Sequence, residues 1–128
     1  MMGVQKMLRL QCVTVDCTNP KLLADFWSEA LDWEIGEVKE HEAWLQPKSK
    51  AAQEVHYPDL LFYYSPDSKK VKNRLHLDLR PTDQASEVER LISLGATHVE
   101  IGQSEDKSVS WVVLADPEGN EFCVLKAL

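Results

Sequence analysis

The feature that most constrains this chain is that one pattern runs through it twice. Arg9 to Val15 (RLQCVTV) is strand-like and rich in β-branched residues, and Asp16-Cys17-Thr18-Asn19-Pro20 then opens a helix. Thr18 or Asn19 serves as N-cap there, with Pro20 at the first helical position. From Lys21 to Leu31, the apolar residues Leu22, Leu23, Phe26, Trp27, Ala30 and Leu31 form one stripe of an amphipathic helix. Strands follow over Trp33 to Val38, His41 to Gln46 and Asp59 to Tyr64, with a polar loop from Pro47 to Pro58. The turn Ser65-Pro66-Asp67-Ser68 closes this half.

The order then recurs. Arg74-Leu75-His76 opens a strand as Arg9-Leu10-Gln11 does, and Thr82 to Leu94 is a second helix with Ala85, Val88, Leu91 and Ile92 on its apolar side. At one constant offset Leu23 maps onto Val88, Phe26 onto Leu91, Trp27 onto Ile92 and Ser28 onto Ser93. After one inserted residue, Glu34-Ile35-Gly36 maps onto Glu100-Ile101-Gly102. Val109 to Ala115, the turn Asp116-Pro117-Glu118-Gly119-Asn120 and a last strand to Leu125 complete the second half. That last strand is expected to pair with Asp59 to Tyr64.

The expected fold is therefore α+β: two βαβββ modules, about 9–65 and about 73–126, forming a curved mixed sheet with the helices on its convex side. Residues 9–126 make a single domain, as a length of 128 residues suggests. A ferredoxin-like βαββαβ order is the structural alternative. It needs only two strands between the helices, whereas three follow Leu31.

The second module opens on the most regular stretch, Asn73 to Arg80 (NRLHLDLR), before Pro81-Thr82-Asp83. Leu75, Leu77 and Leu79 alternate with His76, Asp78 and Arg80, one dry face and one polar face. The leucines should meet helix 82–94, leaving His76, Asp78 and Arg80 in a concave cleft, the ordinary place for a small molecule. His76 there is either a metal ligand or proton-transfer group, or a neutral hydrogen-bonded cleft residue. Asp78 either orients His76 and binds ligand, or forms an ion pair with Arg80. Trp44, Phe62, Tyr64 and Trp111 are strand aromatics expected to line the cleft and stack on planar ligands, whereas Trp27 and Trp33 read at least as well as core packing or dimer contacts. His41, His56 and His98 lie near loops or element edges and read as solvated.

Composition narrows the partners. A net charge of −7 argues against nucleic acid, which requires clustered Lys and Arg. The one basic run, Lys69 to Arg74, reads as a solvated loop. No apolar run is long enough to span a bilayer, so no membrane partner is expected. Cys12, Cys17 and Cys123 form no CxxC pair, and an odd count without a secretory signal fits the cytoplasm.

With these residues in place, the chain resembles the glyoxalase, bleomycin-resistance and extradiol-dioxygenase superfamily, also called vicinal oxygen chelate. The resemblance is carried by the paired βαβββ order, by Asp25-Phe26-Trp27 with Ala30-Leu31-Asp32-Trp33, and by Leu114-Ala115-Asp116-Pro117-Glu118-Gly119-Asn120. It extends into Glu121-Phe122-Cys123-Val124, the ending of the glyoxalase-like subgroup. The resemblance implies a homodimer and a small-molecule ligand. It implies either a lyase, isomerase or dioxygenase acting on a small carbonyl or aromatic compound, or a sequestering protein of the bleomycin-resistance type.

Metal-dependent members of the superfamily place ligands early in the first strand and in the last strand of each module. By resemblance those points are Gln11, Phe62, His76 and Cys123. The first and third positions suit a ligand, whereas Phe62 cannot ligate and Cys123 replaces the expected carboxylate. Loss of both carboxylates removes most of the charge a hard divalent cation needs, so the expectation is a degraded metal site and no cofactor. If a divalent metal is bound, His76 and Gln11 would hold it. Glu121, about 7 Å along the strand from Cys123, would then complete a shifted site. Cys123 reads as a small buried residue or, alternatively, a nucleophile.

Overall fold

The computed structural model describes residues 8, 10–48, 57–99 and 110–128. Helix α1 runs Pro20–Leu31 and is capped by Asn19, whose side chain accepts from the Leu22 N–H at 3.2 Å. Leu23, Ala24, Phe26 and Trp27 on its apolar stripe are buried. Helix α2 runs Gln84–Leu94, and Asp83 caps it by accepting from the Ser86 N–H at 3.1 Å. The negative charge of Glu87 in its first turn suits the positive end of the helix dipole.

The strands of each half make their own four-stranded sheet. In the first, β1 (Cys12–Cys17), β2 (Glu34–Lys39), β3 (Glu42–Gln46) and β4 (Asp59–Tyr64) take the order β1-β4-β3-β2. In the second, β5 (Leu77–Leu79), β6 (Thr97–His98), β7 (Val112–Ala115) and β8 (Glu121–Val124) take the order β5-β8-β7-β6. In both, the first strand runs parallel to the last and every other pair is antiparallel. The two βαβββ modules are thus present with one shared topology, which excludes the ferredoxin-like order.

Three expectations need correction. Among the described residues the modules share no strand ladder: β8 pairs with β5 and β7, not with β4. The strand expected over Asn73 to Arg80 is only Leu77–Leu79, and Leu75 is 84% exposed instead of facing α2. The cause is local. Asn73 approaches the start of β8 through its side-chain amide, which donates to the Glu121 carbonyl at 3.5 Å, and not through a ladder bond. The repeat match expected at 100–102 lies outside the described residues.

Side chains of Val13, Val15, Leu60, Phe62, Ala43 and Leu45 from the first sheet join one core with Leu77, Leu79, Leu114, Phe122 and Val124 from the second. Helix α1 links them, since Phe26 and Trp27 place their rings 6.3 and 4.8 Å from that of Phe122.

The turn after β7 fastens the modules to each other. The carboxylate of Asp116, only 3% exposed, accepts from the Trp27 indole N–H at 3.1 Å. Its other oxygen accepts from the backbone N–H groups of Glu118 and Asn120, each at 3.0 Å. Gly119, at φ +89°, gives the turn a left-handed step that an L side chain would strain. Glu118, held by that turn, accepts from the Thr18 and Asn19 N–H groups at the entrance to α1, both at 2.7 Å. The Asp-Pro-Glu-Gly-Asn motif is therefore an inter-module clasp. Removing the carboxylate in Asp116→Ala strands several buried donors and is expected to cost about 3 kcal/mol in urea unfolding. Adding Trp27→Phe to that variant should cost less than Trp27→Phe alone, because the indole N–H has already lost its partner.

Candidate functional site

Strand alternation builds one face of the second sheet into a wall. Leu77 and Leu79 turn to the core, so His76 and Asp78 turn the other way. The ladder sets Asp78 opposite Cys123 and Cys123 opposite Val113, one row across three strands. Two residues from Val113 and Cys123 stand Trp111 and Leu125. Together these residues line a cavity of about 460 Å³ whose rim also holds Lys72, Asn73 and Glu121. The size suits a small organic molecule.

The polar groups of the wall are close together. His76 Nε2 lies 3.2 Å from Asp78 Oδ1, with both side chains about half exposed. Ligand atoms of His76, Asp78 and Cys123 all fall within 4.8 Å of one another. Burial, and then the nearby Asp78 carboxylate, push the Cys123 thiol above its ordinary pKa. It is therefore a protonated thiol near neutral pH and not an activated nucleophile. Cys17, outside the cleft, is pushed up to about 12, chiefly by burial and then by Glu118, Asp116 and Asp16. All three cysteines are free.

Glu121 is already engaged. Its carboxylate meets the Lys69 ammonium at 3.0 Å, and both side chains are largely buried. It also accepts from the Asn73 N–H at 3.4 Å. The basic run is thus more than a solvated loop: Lys69 and Asn73 tie it to β8, and Lys72 reaches the cavity rim.

The residues singled out from sequence separate into two groups. His76, Asp78, Trp111, Glu121 and Cys123 line this one cavity. Gln11, Phe62 and Tyr64 line neither this cavity nor a second one, of about 590 Å³, between the modules. Phe62 is wholly buried in the core, Tyr64 lies at the sheet's end beside His41, and Gln11 precedes β1. Register explains the mismatch. Val13 and Leu77 both face the core, opposite Leu60 and Phe122, so the first-module counterparts of His76, Asp78 and Cys123 are Cys12, Thr14 and Leu61. Mapping Gln11 onto His76 and Phe62 onto Cys123 was one residue out of step on both strands. Arg80 lines the second cavity and donates to the Lys126 carbonyl at 2.8 Å, and the side chain in contact with the Asp78 carboxylate is His76 and not Arg80. Val113 and Leu125 were missed, although each stands two residues from a residue already singled out.

A hard, oxygen-liganded cation shared between the modules does not fit these residues. Leu61 offers no donor at the first module's last strand, and the nearest carboxylate to Cys123 is Asp78 on its own sheet.

Residues 12–125 match the family described as a glyoxalase-like domain, and the chain belongs to that family. Solved structures of the same fold include a glyoxalase/bleomycin resistance protein/dioxygenase family enzyme from Burkholderia phytofirmans PsJN. It is 17% identical, with a TM-score of 0.69 over 94% of this chain and 100% of that one. An antibiotic binding protein from Streptomyces sp. CB03234 is 16% identical, with a TM-score of 0.64 over 98% of this chain and 100% of that one. The bleomycin resistance determinant of transposon Tn5 is 16% identical, with a TM-score of 0.58 over 94% and 98%. No curated protein matches the chain in sequence. Among the described residues no helix is long and apolar enough to cross a membrane.

The Lys69–Glu121 contact at the rim has a pH signature. Burial alone would raise the Glu121 pKa. The Lys69 hydrogen bond, followed by the backbone N–H groups of Glu121 and Asn73, outweighs it and holds the carboxyl below its ordinary value. A carboxyl that is more acidic when folded stabilises the fold above the unfolded value of about 4.3 and loses that contribution as pH falls through the folded value. Urea midpoints measured from about pH 6 to about pH 3 should therefore fall less steeply in Lys69→Met than in the parent protein.

Proposed function

We propose that this protein binds a small organic molecule in the second-module cleft, with a flat apolar part against Trp111 and a polar group at His76 and Asp78. The observation that carries the reading is the close His76–Asp78 pair set beside the apolar side chains of Trp111, Val113 and Leu125 in one cavity. Polar groups at a few points of an apolar cavity orient a ligand, while the apolar surface supplies most of the affinity. Two proteins of the same fold are described as an antibiotic binding protein and a bleomycin resistance determinant, which supports a binding role.

The overall acidity of the chain does not make this cleft anionic. Asp78 and Glu121 are accompanied by Lys72 and Lys69, so a neutral or weakly polar aromatic compound suits the cavity better than a strongly cationic drug. The reading includes a homodimer, as the superfamily resemblance implies, with a cleft in each chain, and a cytoplasmic location, which the odd cysteine count fits.

A second reading, favoured by the His76–Asp78 contact, is proton transfer. Asp78 would hold the imidazole while His76 takes a proton from a small carbonyl compound, the chemistry of a lyase or isomerase. Tryptophan fluorescence during titration with bleomycin and with small aromatic aldehydes and ketones tests both. Binding should be saturable and about tenfold or more weaker in Trp111→Ala, a loss of about 1.4 kcal/mol. Conversion of a bound carbonyl compound that disappears in His76→Ala while binding remains would establish the catalytic reading. Binding that neither substitution alters would place the ligand elsewhere and contradict both.

A further inference from the structure

We propose that the second module alone holds a borderline-soft divalent cation, of the zinc class, on His76, Asp78 and Cys123. Asp78 and Cys123 stand on adjacent parallel strands, and His76 immediately precedes the first of them. His76 and Asp78 stand two residues apart and share a face, and Asp78 sits directly across the ladder from Cys123. One ligand atom from each falls within 4.8 Å of the others. Around a tetrahedral zinc with bonds of about 2.0–2.3 Å, such atoms lie about 3.3–3.8 Å apart. The widest pair must therefore close by up to about 1.0–1.5 Å, and His76 and Asp78 are exposed enough to make that movement by side-chain rotation.

The donor set selects the metal. Imidazole, carboxylate and thiolate suit zinc or cobalt, whereas magnesium, calcium and manganese favour oxygen ligands and bind thiolate poorly. As the metal–sulfur bond forms, the Cys123 proton passes to solvent. Thiolate and carboxylate then neutralise the dication, and the charge of Lys72 at the rim is left unopposed by a net positive site. Three protein ligands on the wall of an open cavity leave a fourth position facing the cleft, as in zinc sites that bind a small molecule. This set differs from the one the superfamily resemblance implies, which spans both modules and draws on carboxylates in their last strands. Here the third donor is Asp78, and the first module's counterparts Cys12, Thr14 and Leu61 take no part.

The inference concerns the wall of the proposed ligand cleft, but its test needs no organic ligand, so the two can fail separately. Full-length protein stripped with a chelator is titrated with cobalt(II). One metal should bind per chain, with a thiolate-to-cobalt charge-transfer band in the near ultraviolet that zinc abolishes and magnesium leaves unchanged. Cys123→Ser should lose the band, whereas Cys12→Ser, which alters a thiol outside the set, should keep it. His76→Ala and Asp78→Asn change exposed side chains and should fold normally by circular dichroism. Each should bind cobalt more than tenfold more weakly, a larger effect than the loss of an outer supporting partner at the low end of its range. Absence of the band, its survival in Cys123→Ser, or an affinity unmoved by both His76→Ala and Asp78→Asn would overturn the proposal.

Discussion

One buried carboxylate holds this molecule together. Asp116 accepts hydrogen bonds from the Trp27 indole on α1 and from the backbone of its own turn, so it fixes both the turn and the helix that packs on it. A charge this deeply buried is tolerated only when every lone pair is used, and the turn supplies those donors. Glu118 extends the connection by capping the entrance to α1 with its carboxylate. Two modules with no shared strand ladder among the described residues thereby acquire a common core, in which Phe26, Trp27 and Phe122 meet.

The clasp also bears on the site, because the turn it organises leads directly into β8. That strand carries Cys123 in the centre of the wall and Glu121 at its rim, and β5 with the residue before it adds Asp78 and His76 beside it. The duplicated topology gives the first sheet an equivalent face, but its residues differ in kind. Cys12 and Thr14, 3.8 Å apart, stand where His76 and Asp78 do, and Leu61 stands where Cys123 does. One scaffold has therefore been used twice with unlike chemistry, and among the described residues the close His-Asp-Cys cluster stands on the second copy alone.

The helices and most strands were legible in the sequence because local chemistry decides them. The stripe from Leu22 to Leu31, the Asn19 and Asp83 caps and the alternation of Leu77 and Leu79 each act within a few residues. Long-range register was not legible. Whether Gln11 or Cys12 shares the role of His76 depends on how β1 slides against β4, and a slip of one residue turns every side chain to the other face. That is why Phe62 is in the core while Leu61 holds the position expected of it. The end of β5 was misjudged for a related reason. The alternation continues back to Leu75, but Asn73 and Lys69 are drawn to Glu121, and these contacts replace the ladder. The neighbouring positions of Asp78 and Cys123 follow from pairing strands far apart in sequence, so no motif announced them.

The central claim is that the working cleft belongs to the second module alone. It is tested most directly by an amide NMR titration with the tightest-binding compound from the fluorescence screen. The account predicts shifts centred on residues 72–78, 111–113 and 121–125, the walls of the cavity. Shifts centred instead on Thr14, Trp44 and Leu61 of the first sheet would contradict it.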